Sequence, residues 1–155
     1  MKTNASRILD QMKIPYAMQE YAVDDEHLGA EHVAREIGFP PDQVFKTLVV
    51  KGDKRGIMVA CIPGNMELDL KSFAAVSGNK KVEMILVKDI QAVTGYIRGG
   101  VSPIGMKKRY PTFLDDSASL WDVICVSAGM RGKQIIMSPQ DLMRAVAAEL
   151  IGISR

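Results

Sequence analysis

The residues best suited to chemistry lie in three short segments, of which the richest in glycine is TGYIRGGVSPIGMKKRYP, residues 94–111. Four glycines and one proline lie between Gly95 and Gly105, and a basic run follows at residues 107–109. Glycine leaves backbone N–H groups uncovered, so that they can approach an anion or a polarised carbonyl oxygen. Cations beside such a loop indicate a partner that carries phosphate.

The glycine spacing excludes two familiar phosphate-binding motifs. Gly95, Gly99, Gly100 and Gly105 match neither G-x-G-x-x-G nor the P-loop with its closing Gly-Lys-Ser/Thr. Two interpretations remain open. In one, Gly99 and Gly100 turn consecutive N–H groups toward a ligand; in the other, they form a structural turn beside a solvated charge run.

The second segment is FKTLVV, in which Lys46 and Thr47 interrupt an apolar run between Phe45 and Leu48. A lysine in such a strand is either an outward-facing residue of an alternating pattern or a cation at the mouth of a pocket. In the second case it would hold a phosphate or a carbonyl group. The pattern leaves both interpretations open.

The third segment, Ser127 to Gly132, is a second glycine loop after an apolar strand, and it carries a hydroxyl and Arg131. It is either a hairpin turn with an exposed arginine or a loop that faces a ligand. No Ser/His/Asp set accompanies it, and we find no obvious cysteine–histidine pair. A conventional nucleophilic triad is therefore not expected.

The two cysteines and two histidines of the sequence predict neither a metal nor a cofactor site. Cys61 and Cys125 lie in the apolar runs IMVACIP and VICVS, which are typical of buried strands. His27 and His32 stand five residues apart without a neighbouring cysteine. We expect two core thiols and surface histidines.

The elements that must position these segments are short helices and strands in mixed order. The first helix is capped by Asn4 or Ser6, and further helices are expected near residues 29–37, 69–77 and 89–95, with a terminal helix over 139–152. Strands are expected near 16–23, 43–51, 57–63, 111–118, 121–129 and 134–139, whereas 82–87 fits strand or helix. The order lacks a steady βαβ rhythm, which favours a mixed α/β sheet or barrel over a doubly wound fold.

Size and composition predict one globular domain over residues 1–155. The chain has 155 residues, of which 47% are apolar and 25% charged, so disorder is excluded. No apolar run is long enough to span a membrane, and the start lacks the apolar stretch of a secretory signal. We expect a cytoplasmic protein without a membrane partner. The net charge of +2 carries little information about partners.

Taken together, DQVFKTLVVK, TGYIRGGVSPIGMKKRYPTFLD and VSAGMRGKQI resemble the YbaK/EbsC family. Its members are bacterial aminoacyl-tRNA deacylases related to the editing domain inserted in prolyl-tRNA synthetases. The resemblance implies a single domain with a mixed, barrel-like β-sheet flanked by helices. It also implies trans-editing, the release of a mischarged amino acid, foremost cysteine, from tRNA(Pro) by hydrolysis or by cyclisation through the substrate's own thiol.

By the same resemblance, residues of all three segments acquire roles. The catalytic set is Lys46, Gly99 and Gly100. The substrate-binding set is Tyr21, Leu28, Thr47, Ser102, Pro103, Ser127 and Gln134. The tRNA-binding set is Lys107, Lys108, Arg109 and Arg131. The implied partners are aminoacyl-tRNA and a prolyl-tRNA synthetase, with no metal and no cofactor.

Two positions depart from the cysteine-editing pattern. Leu28 stands where an aromatic residue is expected, and Gln134 where an acidic one is expected. Alanine or another small amino acid is therefore an alternative substrate. A module that binds aminoacyl-tRNA or a synthetase without catalysis is a further alternative.

Overall fold

The computed structural model describes residues 2–155; residue 1, at which the predicted domain begins, lies outside them. Two β-sheets form the framework, with orders β1-β7-β6 and β4-β2-β3-β5-β8. The helices are α1 (Asn4–Gln11), α2 (Ala30–Ile37), α3 (Leu70–Val76), α4 (Ile90–Thr94) and α5 (Pro139–Val146). The strands are β1 (Ala17–Glu20), β2 (Phe45–Gly52), β3 (Gly56–Pro63), β4 (Val82–Met84), β5 (Thr112–Asp115), β6 (Ile124–Ser127), β7 (Lys133–Met137) and β8 (Glu149–Ile151).

The helices near the site start and stop where local chemistry requires it. Thr3, rather than the expected Asn4 or Ser6, caps α1, because its side chain accepts a hydrogen bond from the Ser6 N–H at 3.1 Å and Ser6 bonds back to it. Helix α2 follows Gly29 and ends at Gly38, whose φ of 76° is the left-handed conformation of a C-cap.

The larger sheet is built on the β2–β3 hairpin. Its strands pair antiparallel from Phe45 opposite Pro63 to Gly52 opposite Gly56. Strand β4 adds to the outer side of β2 in antiparallel fashion, whereas β5 and β8 continue the sheet beyond β3 in parallel. The prediction of a mixed α/β fold is thus confirmed.

The smaller sheet, β1-β7-β6, is antiparallel throughout. One isolated parallel bridge, Val44 to Cys125, joins it to the larger sheet. Over residues 2–155 the strands therefore form two separate sheets. The expected barrel-like sheet is not closed in this part of the chain. A buried cluster that includes Phe45, Val126 and Ile135 fills the space between the sheets.

The C-terminal segment differs from its predicted form. Helix α5 ends at Val146, because Ala147 adopts a left-handed conformation with φ of 53°, and residues 149–151 form β8 instead of two further helical turns. Pairing with β5 overrides the local helical pattern of AAELIG. Over 2–155, no helix combines the length and apolar character needed to cross a bilayer.

Candidate active site

A small pocket lies where the two sheets meet. Its volume is about 260 Å³, near the lower end of the ~300–1,000 Å³ range of small-molecule sites. Strand β2, the start of α2, residues 98–101 and the facing strands β6 and β7 supply its walls. The lining residues are Leu28, Gly29, Ala30, Val33, Val44, Phe45, Lys46, Thr47, Leu48, Ile90, Arg98, Gly99, Val101, Ser127 and Gln134.

Lys46 is the half-buried cation of this pocket. Its Nζ donates a hydrogen bond to the Gly64 carbonyl oxygen at 3.3 Å. Burial lowers the pKa of Lys46, opposed by the charges of Glu31 and Glu67. An ammonium group carries three donors, so further N–H groups are left for a ligand.

Gln134 lines the pocket and carries a buried acceptor without a partner among the described residues. Its side chain is 5% exposed, and its Oε1 atom is buried without a hydrogen-bond partner among the described residues. The β6–β7 register sets Ser127 opposite Gln134, so both side chains lie on the same face of the sheet. Leaving a buried acceptor unpaired costs about 1–3 kcal/mol, which a ligand that donates a hydrogen bond would recover.

Residues 97–100 form a tight turn beside Lys46. The Gly100 N–H donates to the Ile97 carbonyl oxygen at 2.9 Å, and Gly99 has a φ of 85°. A positive φ at the third position is what a type II turn requires. The Gly100 N–H is thus occupied, contrary to its predicted role as a donor to substrate. The Gly99 N–H has no partner within residues 2–155, and Gly99 lines the pocket.

Gly100 is needed for a different reason. A Cβ atom at this position would lie 3.1 Å from the backbone N of Arg131 and 3.1 Å from the backbone of Met130. The two glycine loops thus pack backbone against backbone. That close approach brings the turn at Gly99 and the strand ends of β6 and β7 into one site.

The model of the aminoacyl-tRNA editing domain family matches residues 26–145, which include every residue of this pocket. The chain belongs to this family. The resemblance to the YbaK/EbsC group noted from the sequence is confirmed by a relative from Enterococcus faecalis. The two chains are 54% identical over 142 residues, covering 92% of this chain and 87% of the relative, which is named EbsC and described as a candidate Cys-tRNA(Pro)/Cys-tRNA(Cys) deacylase.

Two further proteins similar to this chain carry prolyl-tRNA synthetase in their names or descriptions. A proline–tRNA ligase of Thermosipho melanesiensis is 30% identical over 106 residues, which are 61% of this chain and 18% of the ligase. A crystal structure described as a candidate trans-editing enzyme for prolyl tRNA synthetase superimposes with a TM-score of 0.82 at 19% identity, over 100% of this chain and 99% of the other. At that identity the match shows the shared fold alone.

Arg131 of the editing domain links its own glycine loop to the segments that contain Arg98 and Asp25. Its Nε donates to the Arg98 carbonyl oxygen at 2.8 Å, and its guanidinium also contacts the Asp25 carboxylate at 3.3 Å. The side chain is 30% exposed. Arg131 thus braces the 97–100 turn. A guanidinium group has five N–H donors, so the contact of Arg131 with tRNA stays a prediction.

Three residues predicted to bind substrate lie outside the pocket lining. Ser102 is fully buried, and its hydroxyl accepts a bond from the Ile104 N–H at 3.2 Å. Pro103 lines a separate cavity near α1. The Tyr21 side chain packs against the cluster that contains Val33. A role for these three residues in substrate binding stays a prediction.

The basic run lies on the surface of the editing domain. Lys107, Lys108 and Arg109 are all exposed, and none lines the pocket. Two hydrogen bonds anchor the preceding loop: the Tyr96 hydroxyl donates to the Ile104 carbonyl oxygen at 2.6 Å, and Asn4 donates to that of Gly105 at 3.1 Å. The contact of the basic run with tRNA stays a prediction.

The pocket also contains residues that the sequence interpretation missed. Arg98 borders the site and stands directly before the Gly99-Gly100 pair, which was the only available signal for it. The apolar wall includes Val33, Val44 and Ile90. Their spacing is that of ordinary core residues, so no pattern in the sequence marks them.

The protein's own thiols are unsuited to nucleophilic catalysis. Cys61 and Cys125 are free and buried, and burial raises the pKa of each to about 12. In the described part of the chain, no three His, Cys, Asp or Glu side chains cluster so that they could hold a metal ion. Neither cysteine is among the residues that line the pocket, so the described chain offers no thiol nucleophile there.

Proposed function

We propose that this editing domain is a trans-editing deacylase that releases mischarged cysteine from Cys-tRNA(Pro). The observation that supports the proposal is a small, largely apolar pocket lined by Lys46, Gly99 and Gln134. The Gly99 N–H and the Gln134 Oε1 atom have no hydrogen-bond partner among the described residues. The size fits one small side chain. Family membership and the named deacylase among its relatives support the same reaction.

Each polar group has one task in this proposal. The Gly99 N–H donates to the ester carbonyl oxygen, where negative charge develops during attack. Lys46 holds the ribose or phosphate of the terminal nucleotide as a compact point charge. Gln134 accepts a hydrogen bond from the α-ammonium group of the amino acid, which satisfies its buried oxygen.

The substrate itself supplies the nucleophile. The cysteine thiol loses its proton and forms an S–C bond to its own carbonyl carbon, while the C–O bond to the ribose breaks and the ribose oxygen takes up a proton. The products are a cyclic thiolactone and free tRNA. The ring has four members and is strained, so the protein's contribution is to hold thiol and carbonyl in contact and to stabilise the oxyanion.

A second candidate substrate is alanine or another small amino acid. Leu28 lines the pocket in place of the expected aromatic residue, and Gln134 is neutral. For such substrates water would be the nucleophile. An editing site is needed in either case, because a synthetase pocket rejects a smaller or isosteric side chain by only about 1–3 kcal/mol.

The partners follow from this reaction. The substrate is an aminoacyl-tRNA, with tRNA(Pro) as the first choice, and a prolyl-tRNA synthetase is the natural source of the mischarged product. We place the protein in the cytoplasm, where tRNA is charged. The exposed cations at 107–109 would contact the acceptor-stem backbone without reading bases.

A panel of cysteinyl-, alanyl-, seryl- and prolyl-tRNA(Pro) tests the proposal through loss of the ester. We expect release from cysteinyl-tRNA and no release from prolyl-tRNA. S-methylation of the cysteine should abolish release if the thiol attacks, and should leave it intact if water does. Protection of every ester would identify a non-catalytic binding module, and release of proline would exclude editing.

A further inference from the structure

We propose that a second cleft beside the Lys46 pocket binds the terminal adenine base of tRNA; this rests on the proposed function. The cleft has a volume of about 520 Å³ and is lined by residues 25–29, His32, Arg98 and Gly99. It shares Leu28, Gly29, Arg98 and Gly99 with the Lys46 pocket. The two spaces are therefore contiguous, with the Gly99 turn at their boundary.

The chemistry of charged tRNA requires such a neighbour. The amino-acid ester and the adenine base are attached to one ribose at the end of every tRNA. When the ester reaches Gly99, the base must occupy space directly beside the aminoacyl pocket. Among the cavities of residues 2–155, this cleft adjoins the Gly99 turn and is lined by aromatic rings.

His27 and His32 supply a ring platform. Their imidazole centroids lie 5.4 Å apart with an interplanar angle of 30°. His32 is the more buried of the two, at 20% side-chain exposure against 59% for His27. A nucleobase that stacks on an aromatic side chain gains binding energy regardless of its identity.

A carboxylate lies beside each ring, at hydrogen-bond distance from His27 and at the longer ion-pair distance from His32. The Nδ1 atom of His27 lies 2.7 Å from an Asp24 carboxylate oxygen, and Nε2 of His32 lies 3.7 Å from Glu36. A platform held in this way loses less side-chain freedom when a base binds.

The charges around the cleft are compatible with a nucleotide. Arg131 contacts Asp25 and His27 contacts Asp24, so two of the carboxylates have partners. Arg98 is exposed and borders both spaces, where it can approach the phosphate. Glu26 remains as an acceptor for the exocyclic amino group of adenine.

The presence of only two histidines makes the test direct. Imidazole proton resonances are followed by NMR during titration with adenosine 5′-monophosphate and, separately, with ribose 5-phosphate at the same pH. We expect the nucleotide to shift the signals of both rings and the sugar phosphate to leave them unchanged. Equal shifts with both probes, or none with the nucleotide, would overturn the proposal.

Substitution of His32 separates stacking from charge. His32→Ala should weaken binding of the nucleotide about tenfold, whereas His32→Phe should retain it, since a phenyl ring also stacks. Equal affinity of His32→Ala and the parent protein would contradict the platform. Because these titrations need no turnover, nucleotide binding without deacylation would refute only the proposed function, and deacylation without nucleotide-dependent shifts would refute only the adenine site.

Discussion

Gly100 packs so closely on Met130 that a Cβ atom added to Gly100 would lie 3.1 Å from the Met130 Cα. We therefore expect Gly100→Val to separate the two glycine loops, lower the free energy of unfolding by about 1–3 kcal/mol and reduce deacylation through displacement of the Gly99 N–H. Urea denaturation and single-turnover kinetics measure the two effects. Gly29→Ala is the control for stability, because nothing lies within 4 Å of its added Cβ. Parental stability of Gly100→Val would refute the close packing of the loops.

Lys46→Met should abolish deacylation and leave the protein folded with equal or greater stability at neutral pH. Burial removes part of the hydration of the Lys46 ammonium group and lowers the pKa of Lys46 below the ordinary value of 10.5. Between the pKa values of Lys46 in the folded and unfolded states, the unfolded chain binds more protons than the folded chain. The free energy of unfolding of the parent protein therefore rises with pH in this alkaline range. Denaturation at several pH values should show this gain in the parent and not in Lys46→Met. A large fall in stability would assign Lys46 a structural role.

Gln134→Leu should raise the KM for the aminoacyl-tRNA substrate and stabilise the free protein. The substitution removes a buried oxygen that has no partner among the described residues, and an unpaired buried group costs about 1–3 kcal/mol. Thermal melting and steady-state kinetics test both parts. Gln11→Leu makes the same chemical change at an exposed position of α1. Loss of stability together with an unchanged KM would show that Gln134 does not face the substrate.

Replacing Lys107, Lys108 and Arg109 together by alanine should weaken tRNA binding and flatten its salt dependence. For every phosphate that is no longer neutralised, the slope of log K against log salt should fall by about 0.7–0.9. Turnover at saturating tRNA should change much less. Alanine at Lys80 and Lys81, two exposed cations near β4, is the control for loss of surface charge elsewhere. An unchanged slope would identify the basic run as an ordinary solvated surface.

The native protein should resist thiol reagents and remain active after treatment. Burial raises the pKa of Cys61 and Cys125 to about 12, so almost no thiolate exists near neutral pH. Titration with a chromogenic disulfide should detect neither thiol in the folded protein and both after denaturation. Rapid modification of the folded protein with loss of activity would bring a protein thiol back into the mechanism.

Several elements of this fold can be predicted from the local sequence. The β2–β3 hairpin follows from two apolar strands around a glycine-bounded turn, and α2 stops at Gly38 because glycine accepts a positive φ. The three matched segments also placed the chain in its family. The hairpin and the end of the helix depend on interactions between near neighbours in the chain, which is why the sequence predicts them.

Which groups meet depends on the packing of distant segments. Gly99 and Gly100 are equivalent in the sequence, yet the Gly100 N–H is consumed by the turn and the Gly99 N–H is not. Strand β8 replaces the end of a predicted helix because it pairs with β5. The two strands are more than thirty residues apart in the chain, so the local pattern could not predict this pairing. Arg131 braces Arg98 across a comparable separation. Such contacts depend on how distant segments pack, and the local pattern of residue types carries no record of that packing.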